Sequence, residues 1–204
     1  LLIFLAASST VFAQAVPTIV RVEEDWSLNV SSPQQGICAP QLTTVISPSC
    51  DTNSIYGAFA INHRALPEFT AGGLQMQIWN NDSPEKYENF ANDMMLNYRE
   101  AQETITWTQS MSLEGGVLTF QILNGRSQTW GVFGGSDDLK ASVNSTVSNL
   151  INYSPNVSVK NSGISYASNR VQSLTITKVR WITSTGQVYE DSTPKVVYPQ
   201  SQSE

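Results

Sequence analysis

The sequence predicts an all-β protein, an antiparallel two-sheet β-sandwich or jelly roll with at most one or two short helices. Apolar and polar residues alternate through most of the chain, the period-two signature of strands with one face on a core. Clusters of Gly, Asn, Ser and Pro interrupt these runs at short intervals, as they do in sandwiches and jelly rolls. Composition agrees: 72 of the 204 residues are Ser, Thr, Asn or Gln and only 14% are charged. Such a surface is polar but weakly ionic, and it suits an extracellular β protein.

The elements follow in chain order. Residues 1–12 are apolar or small, and Ala13-Gln14-Ala15 supplies the small-x-small pattern of signal-peptidase cleavage. Residues 1–15 therefore read as a signal peptide, truncated because no Met or charged segment precedes Leu1. This run is too short to cross a bilayer core of ~30 Å, and no other stretch is long enough, so no membrane span is expected. Residues 16–199 read as a single β-sandwich domain and residues 200–204 as a flexible polar tail, in a secreted, periplasmic or extracellular protein. Cys38 and Cys50 are expected to form a disulfide in an oxidising compartment. Closing so short a loop stabilises by roughly 3 kcal/mol. A redox site is disfavoured, since there is no Cys-x-x-Cys and no nearby His or Lys to activate a thiol.

Val22, Glu24, Trp26, Leu28 and Val30 share one parity, so Glu24 points inward with them while Glu23 and Asp25 point outward. Leu74, Met76 and Ile78 alternate with Gln75, Gln77 and Trp79. Apolar spacing of three and four occurs around Tyr87, Phe90, Ala91 and Met94, and Ser83-Pro84-Glu85 supplies a cap and a first-turn proline, so a helix of at most two or three turns, or else a loop, is expected there. Ile105, Trp107, Met111 and Leu113 lead into a Gly115-Gly116 turn and a return strand of Leu118, Phe120 and Ile122. Asn124-Gly125 is expected to form the next hairpin turn, with residues 127–133 as its returning strand. Leu139, Ala141 and Val143 then alternate, Val157 and Val159 suggest a short strand, and residues 171–182 form a long strand that turns back through Gly186.

Several function classes are disfavoured. Net charge is −6 with no basic run, which argues against nucleic acid. One His and two Cys do not make a zinc site of the usual kind. No P-loop, dinucleotide fingerprint or Gly-x-Ser-x-Gly occurs, and His63, in a loop setting, reads as a surface residue. No catalytic residue and no metal ligand is assigned, and no cofactor is expected. Calcium stays open through the oxygen-rich loops Asp51-Thr52-Asn53, Asn80-Asn81-Asp82 and Asp137-Asp138.

The outward face is the more informative feature. Gln75, Gln77 and Trp79 are expected to project together into water, with Thr106, Thr108, Thr119 and Gln121 presented by the following hairpin. Neutral amides and hydroxyls match sugar hydroxyls, and an indole offers a flat apolar surface to a pyranose. Trp79, Gln75, Gln77 and Gln121 are thus candidate carbohydrate-binding residues, with Trp130 as a second aromatic; Trp26, Trp107 and Trp181 are expected in the core.

The Trp-bearing strand, Gly-Gly turn, Leu-Thr-Phe-Gln-Ile strand and Asn-Gly dipeptide of residues 104–133 resemble the central hairpins of concanavalin-like (laminin-G-like) jelly-roll domains. Residues 171–189 resemble their closing strand pair. Val22-Glu23-Glu24-Asp25-Trp26, Ala39-Pro40-Gln41 and residues 168–173 are also similar to secreted bacterial proteins of unknown function. The resemblance implies glycan-binding modules, glycosidases or polysaccharide lyases without choosing among them. The closely spaced acids that retaining glycosidases of this scaffold carry would fall on Glu23 and Asp25, yet residues 27–30 lack the third acid. A non-catalytic lectin-like module for a glycan or another cell-surface ligand is therefore preferred. The alternatives are a carbohydrate-active enzyme using acids such as Glu23, Asp25 or Glu68, and a structural or adhesive envelope protein.

Overall fold

The computed structural model describes residues 17–32, 41–62, 73–90, 102–128, 131–135, 137–166 and 170–199. The expected signal peptide, the tail, Cys38, His63, Glu68 and Trp130 lie outside these residues, and so does the expected Cys38–Cys50 pairing; Cys50 itself is exposed. Among the described residues no helix is long and apolar enough to cross a membrane.

The chain forms β1 (Ile19–Val30), β2 (Gln41–Ile46), β3 (Ile55–Asn62), β4 (Gly73–Asn80), β5 (Ser83–Phe90), β6 (Glu103–Glu114) and β7 (Val117–Ser127). After these come β8 (Gly131–Phe133), β9 (Lys140–Asn144), helix α1 (Pro155–Asn161), β10 (Gly163–Tyr166), β11 (Val171–Thr183), β12 (Val188–Asp191) and β13 (Lys195–Tyr198). Two antiparallel sheets pack face to face. The larger has eight strands ordered β12-β11-β1-β6-β7-β8, with β13 also beside β11 and β9 also beside β7; the smaller has the order β10-β2-β3-β4-β5.

Alternation places the core as expected. Trp26, Leu28, Ile105, Trp107, Phe120 and Ile176 from the larger sheet meet Leu42, Phe59, Leu74, Met76 and Ile78 from the smaller one, all at 2% exposure or less. Trp26 and Trp107 are cross-strand partners with nearly parallel rings, 2° apart at a centroid distance of 6.0 Å. Phe59 of the opposite sheet sets its edge on Trp107 at 5.5 Å. Such pairs add about 0.5–1.5 kcal/mol each beyond area burial. One polar bridge crosses the same interior: the Thr44 hydroxyl donates to Gln109 Oε1 at 2.6 Å, and Gln109 Nε2 donates to the Thr44 carbonyl at 3.2 Å. Both side chains are buried, so each satisfies a group that would otherwise be stranded.

Three local expectations are corrected. Residues 83–90 form an edge strand, β5, rather than a helix, because Asn81 and Asp82 at φ 48° and 62° make a two-residue hairpin turn that returns the chain beside β4. Val157 and Val159 lie in helix α1 rather than a strand; Pro155 at its first turn is preset for helical φ, and Val157 and Ser158 turn inward. Asn124-Gly125 does not reverse the chain. β7 runs through it to Ser127, with Asn124 at φ 54°, while pairing with β6 shifts from Thr108↔Leu123 to Thr106↔Arg126. Trp107 thus faces two residues of β7, which is a β-bulge. The ring of Phe133 explains the glycine: a Cβ on Gly125 would lie 2.2 Å from Phe133 Cδ2.

Candidate binding groove

The candidate residues on β4 project together, as the alternation requires, but not into open water. Gln75 and Gln77 are only 4% and 7% exposed. Their amides join a ladder along the strand: Trp79 Nε1 donates to Gln77 Oε1 at 2.6 Å, and Gln77 Nε2 donates to Gln75 Oε1 at 2.5 Å. Trp79 is partly buried, its ring nearly parallel to that of Tyr56 on β3 at 6.5 Å. The expectation of a solvated Gln-Gln-Trp platform is therefore corrected: within each side chain a polar group expected to face a ligand is already engaged by a neighbour. Gln121 does not join them. It lies on the outward face of β7 in the eight-stranded sheet, whereas β4 belongs to the other sheet, so the two groups occupy opposite surfaces of the sandwich.

The outward face of the eight-stranded sheet has the more convergent chemistry. Glu23 and Asp25 point outward from β1 as their parity requires, and Arg180 of β11 meets both. Its Nη1 and Nη2 reach Asp25 Oδ2 and Oδ1 at 2.6 and 2.7 Å, and its Nε reaches Glu23 Oε2 at 2.9 Å. This bidentate geometry is the strong form of a charge-assisted hydrogen bond, and the bonds to Asp25 hold the guanidinium firmly in its charged form. Arg21 contacts the other Glu23 oxygen at 3.1 Å. The Thr108 hydroxyl donates to Asp25 Oδ1 at 2.7 Å, and Thr177 Oγ1 donates to the Asp25 carbonyl at 3.1 Å. Asp25 is therefore fixed in position, and an ionised carboxylate with about four acceptor sites still has one left for a ligand.

Around it the sheet opens into a groove of about 470 Å³, whose polar lining includes Ser27, Thr106, Thr108, Asn124, Thr177 and Arg126. Register aligns these groups: Ser27 pairs with Thr106 and Thr175, and Thr106 pairs with Arg126, giving one row across four strands. Asp25 and Thr108 form the adjacent row. Hydroxyls, one amide, one fixed carboxylate and two guanidinium groups thus share a shallow polar trough. No family model, curated protein or solved structure matches the chain.

Glu23 and Asp25, the acids that a glycosidase reading would use, both bond Arg180. Hydrolysis needs two carboxyls flanking the scissile bond, one able to give a proton. Of the oxygen-rich loops, Asp51 Oδ1 accepts from the Asn53 amide, Asn81 and Asp82 form the β4–β5 turn, and Asp137 contacts Lys140. Among the described residues no three His, Cys, Asp or Glu side chains gather as metal ligands.

Sequence reasoning named Asp25, Thr106 and Thr108, but missed Arg180, Thr177, Asn124 and Arg126. Parity along one strand shows which residues face outward, not which strands are neighbours. The pairing of β1 with β11, in which Asp25 meets Lys178, 153 residues further on, carries no local signal. A polar residue at alternate positions of residues 173–180 was the one available hint.

Proposed function

We propose that the protein is a secreted, non-catalytic carbohydrate-binding module, and that the groove on the eight-stranded sheet is its binding surface. The observation that carries this reading is the Asp25–Arg180 pair, locked by Thr108 and set among Ser27, Thr106 and Thr177. Sugar hydroxyls are neutral donors and acceptors. A planar carboxylate–guanidinium pair offers them both kinds of partner in fixed geometry, and preorganised groups lose little entropy on binding. The small-x-small pattern after residues 1–12, the hydroxyl-rich and weakly charged composition and the resemblance to concanavalin-like domains support export and a glycan ligand.

A glycan array followed by affinity electrophoresis tests it. Asp25→Asn and Thr106→Ala are expected to weaken retention at least about tenfold, the scale of a lost hydrogen bond to a charged group, while Trp79→Ala retains binding. Unchanged retention in Asp25→Asn, or loss only in Trp79→Ala, overturns the assignment of the groove. Thermal unfolding of each variant separates lost binding from lost fold.

A further inference from the structure

We infer that the groove selects a carboxylate-bearing glycan and that Arg126 is the residue that receives the acid group; the inference rests on the glycan reading above. Arg21, Lys86, Lys140, Lys178, Arg180 and Lys195 each have an acidic partner within 3.4 Å. The Arg126 side chain is exposed and forms neither an ion pair nor a hydrogen bond with the described residues. It lines both the main groove and an adjoining one of about 260 Å³ with Thr104, Ser127 and Gln128.

Its orientation comes from the bulge. On β7 the core side carries Leu118, Phe120 and Ile122, so an unbroken strand would send residue 126 inward and residue 125 outward. The extra residue at Asn124-Gly125 reverses this: Gly125 packs inward against Phe133, and Arg126 emerges beside Thr106 on the outer face. Asn124 adopts left-handed backbone to achieve it, a conformation uncommon for residues other than glycine. Bulges commonly re-aim one side chain next to a binding or active site, and the chain that this one re-aims is a cation without a partner.

The charges agree. Among the described residues, Asp25, Arg126 and Arg180 are the charged ones lining the main groove, one negative and two positive, so these sum to +1 in a chain of net charge −6. Arg180 is already engaged by Asp25 and Glu23. The open positive charge is therefore Arg126, whose planar fork matches a carboxylate bidentately. A densely sulfated chain is repelled by the acidic body of the protein, whereas a uronic acid brings one charge per ring. β7 lies two strands from β1, about 10 Å away, so a uronate on Arg126 leaves the neighbouring sugar over Thr106 and Asp25.

Titration calorimetry of the full chain with a polygalacturonate oligomer, its methyl ester, a sulfated oligosaccharide and a neutral gluco-oligosaccharide tests the inference. The acid form is expected to bind at least about tenfold more tightly than the ester. Arg126→Gln is expected to remove that difference with no change in thermal unfolding, and Arg126→Lys to restore part of it. Equal binding of acid and ester, or discrimination that survives in Arg126→Gln, overturns the role of Arg126 while leaving glycan binding in place. Preference for the sulfated probe overturns the carboxylate assignment. Binding of no saccharide overturns the glycan reading itself.

Discussion

Replacing Glu24 by Gln should change how stability depends on pH. Glu24 is fully buried on β1, where Oε1 accepts from Tyr153 Oη at 2.6 Å and from Ser158 Oγ of helix α1, and Oε2 accepts from Trp26 Nε1 at 3.1 Å. Burial pushes its carboxyl up from 4.5 to about 7, although these three donors and the charge of Lys195 pull the other way. Because the folded value is raised, the favourable contribution is complete below about pH 4.5 and is lost as pH rises through about 7. The interval of about 2.5 pH units corresponds to about 3 kcal/mol. Glu24→Gln is neutral at every pH, its amide oxygen able to accept from the Trp26 indole and its NH2 to donate to the Tyr153 and Ser158 hydroxyls, so any cost of the exchange does not vary with pH. Urea denaturation followed by tryptophan fluorescence measures both proteins. Between about pH 4 and about pH 8 the wild type should lose about 3 kcal/mol relative to the variant. A stability difference that stays constant across this range would refute the argument that burial dominates at Glu24.

Gly125→Ala places a Cβ 2.2 Å from the Phe133 ring and 2.5 Å from its carbonyl oxygen. It should destabilise by about 1–3 kcal/mol, read as a lowered Tm, and should weaken binding through Arg126 as the bulge shifts. Gln109→Leu leaves the Thr44 hydroxyl without its acceptor in the interior and should lose about 1–3 kcal/mol. Adding Thr44→Val should recover part of that loss, and strictly additive denaturation energies would show that the bridge between the sheets is not coupled. Trp79→Ala should lower stability through loss of the Tyr56 contact and the link to Gln77, with glycan retention unchanged in the same affinity gel.

The sandwich and its core were legible because alternation is a local property. Glu24 was correctly placed inward between Val22 and Trp26, and Gly115 and Gly116, both at positive φ, make the turn they were expected to make. Asn124-Gly125 carries an equally good turn signal, yet packing of Phe133 against Gly125 and continued pairing with β6 convert it to a bulge. Local dihedral preference was read correctly; its use was decided by contacts distant in sequence. The same holds for Asn81-Asp82, whose turn overrode the three-and-four spacing around Tyr87. For the candidate site, parity exposed Asp25 and Thr108, but only the register of β1 with β11 delivers Arg180. Gln75 and Gln77 face outward as expected, and outward proved not to mean solvated.

The way the larger sheet ends has a consequence for solubility. β11 at one side shares its free margin between β12 at residues 179–182 and β13 at residues 174–176, and β7 at the other side does the same with β8 and β9. Each long strand is thereby hemmed by two fragments of three to five residues. Short hems offer few consecutive free amides and carbonyls to an approaching chain. The margins of the larger sheet are thus shielded from templating fibrils, in a protein rich in β-structure and sparing of charge.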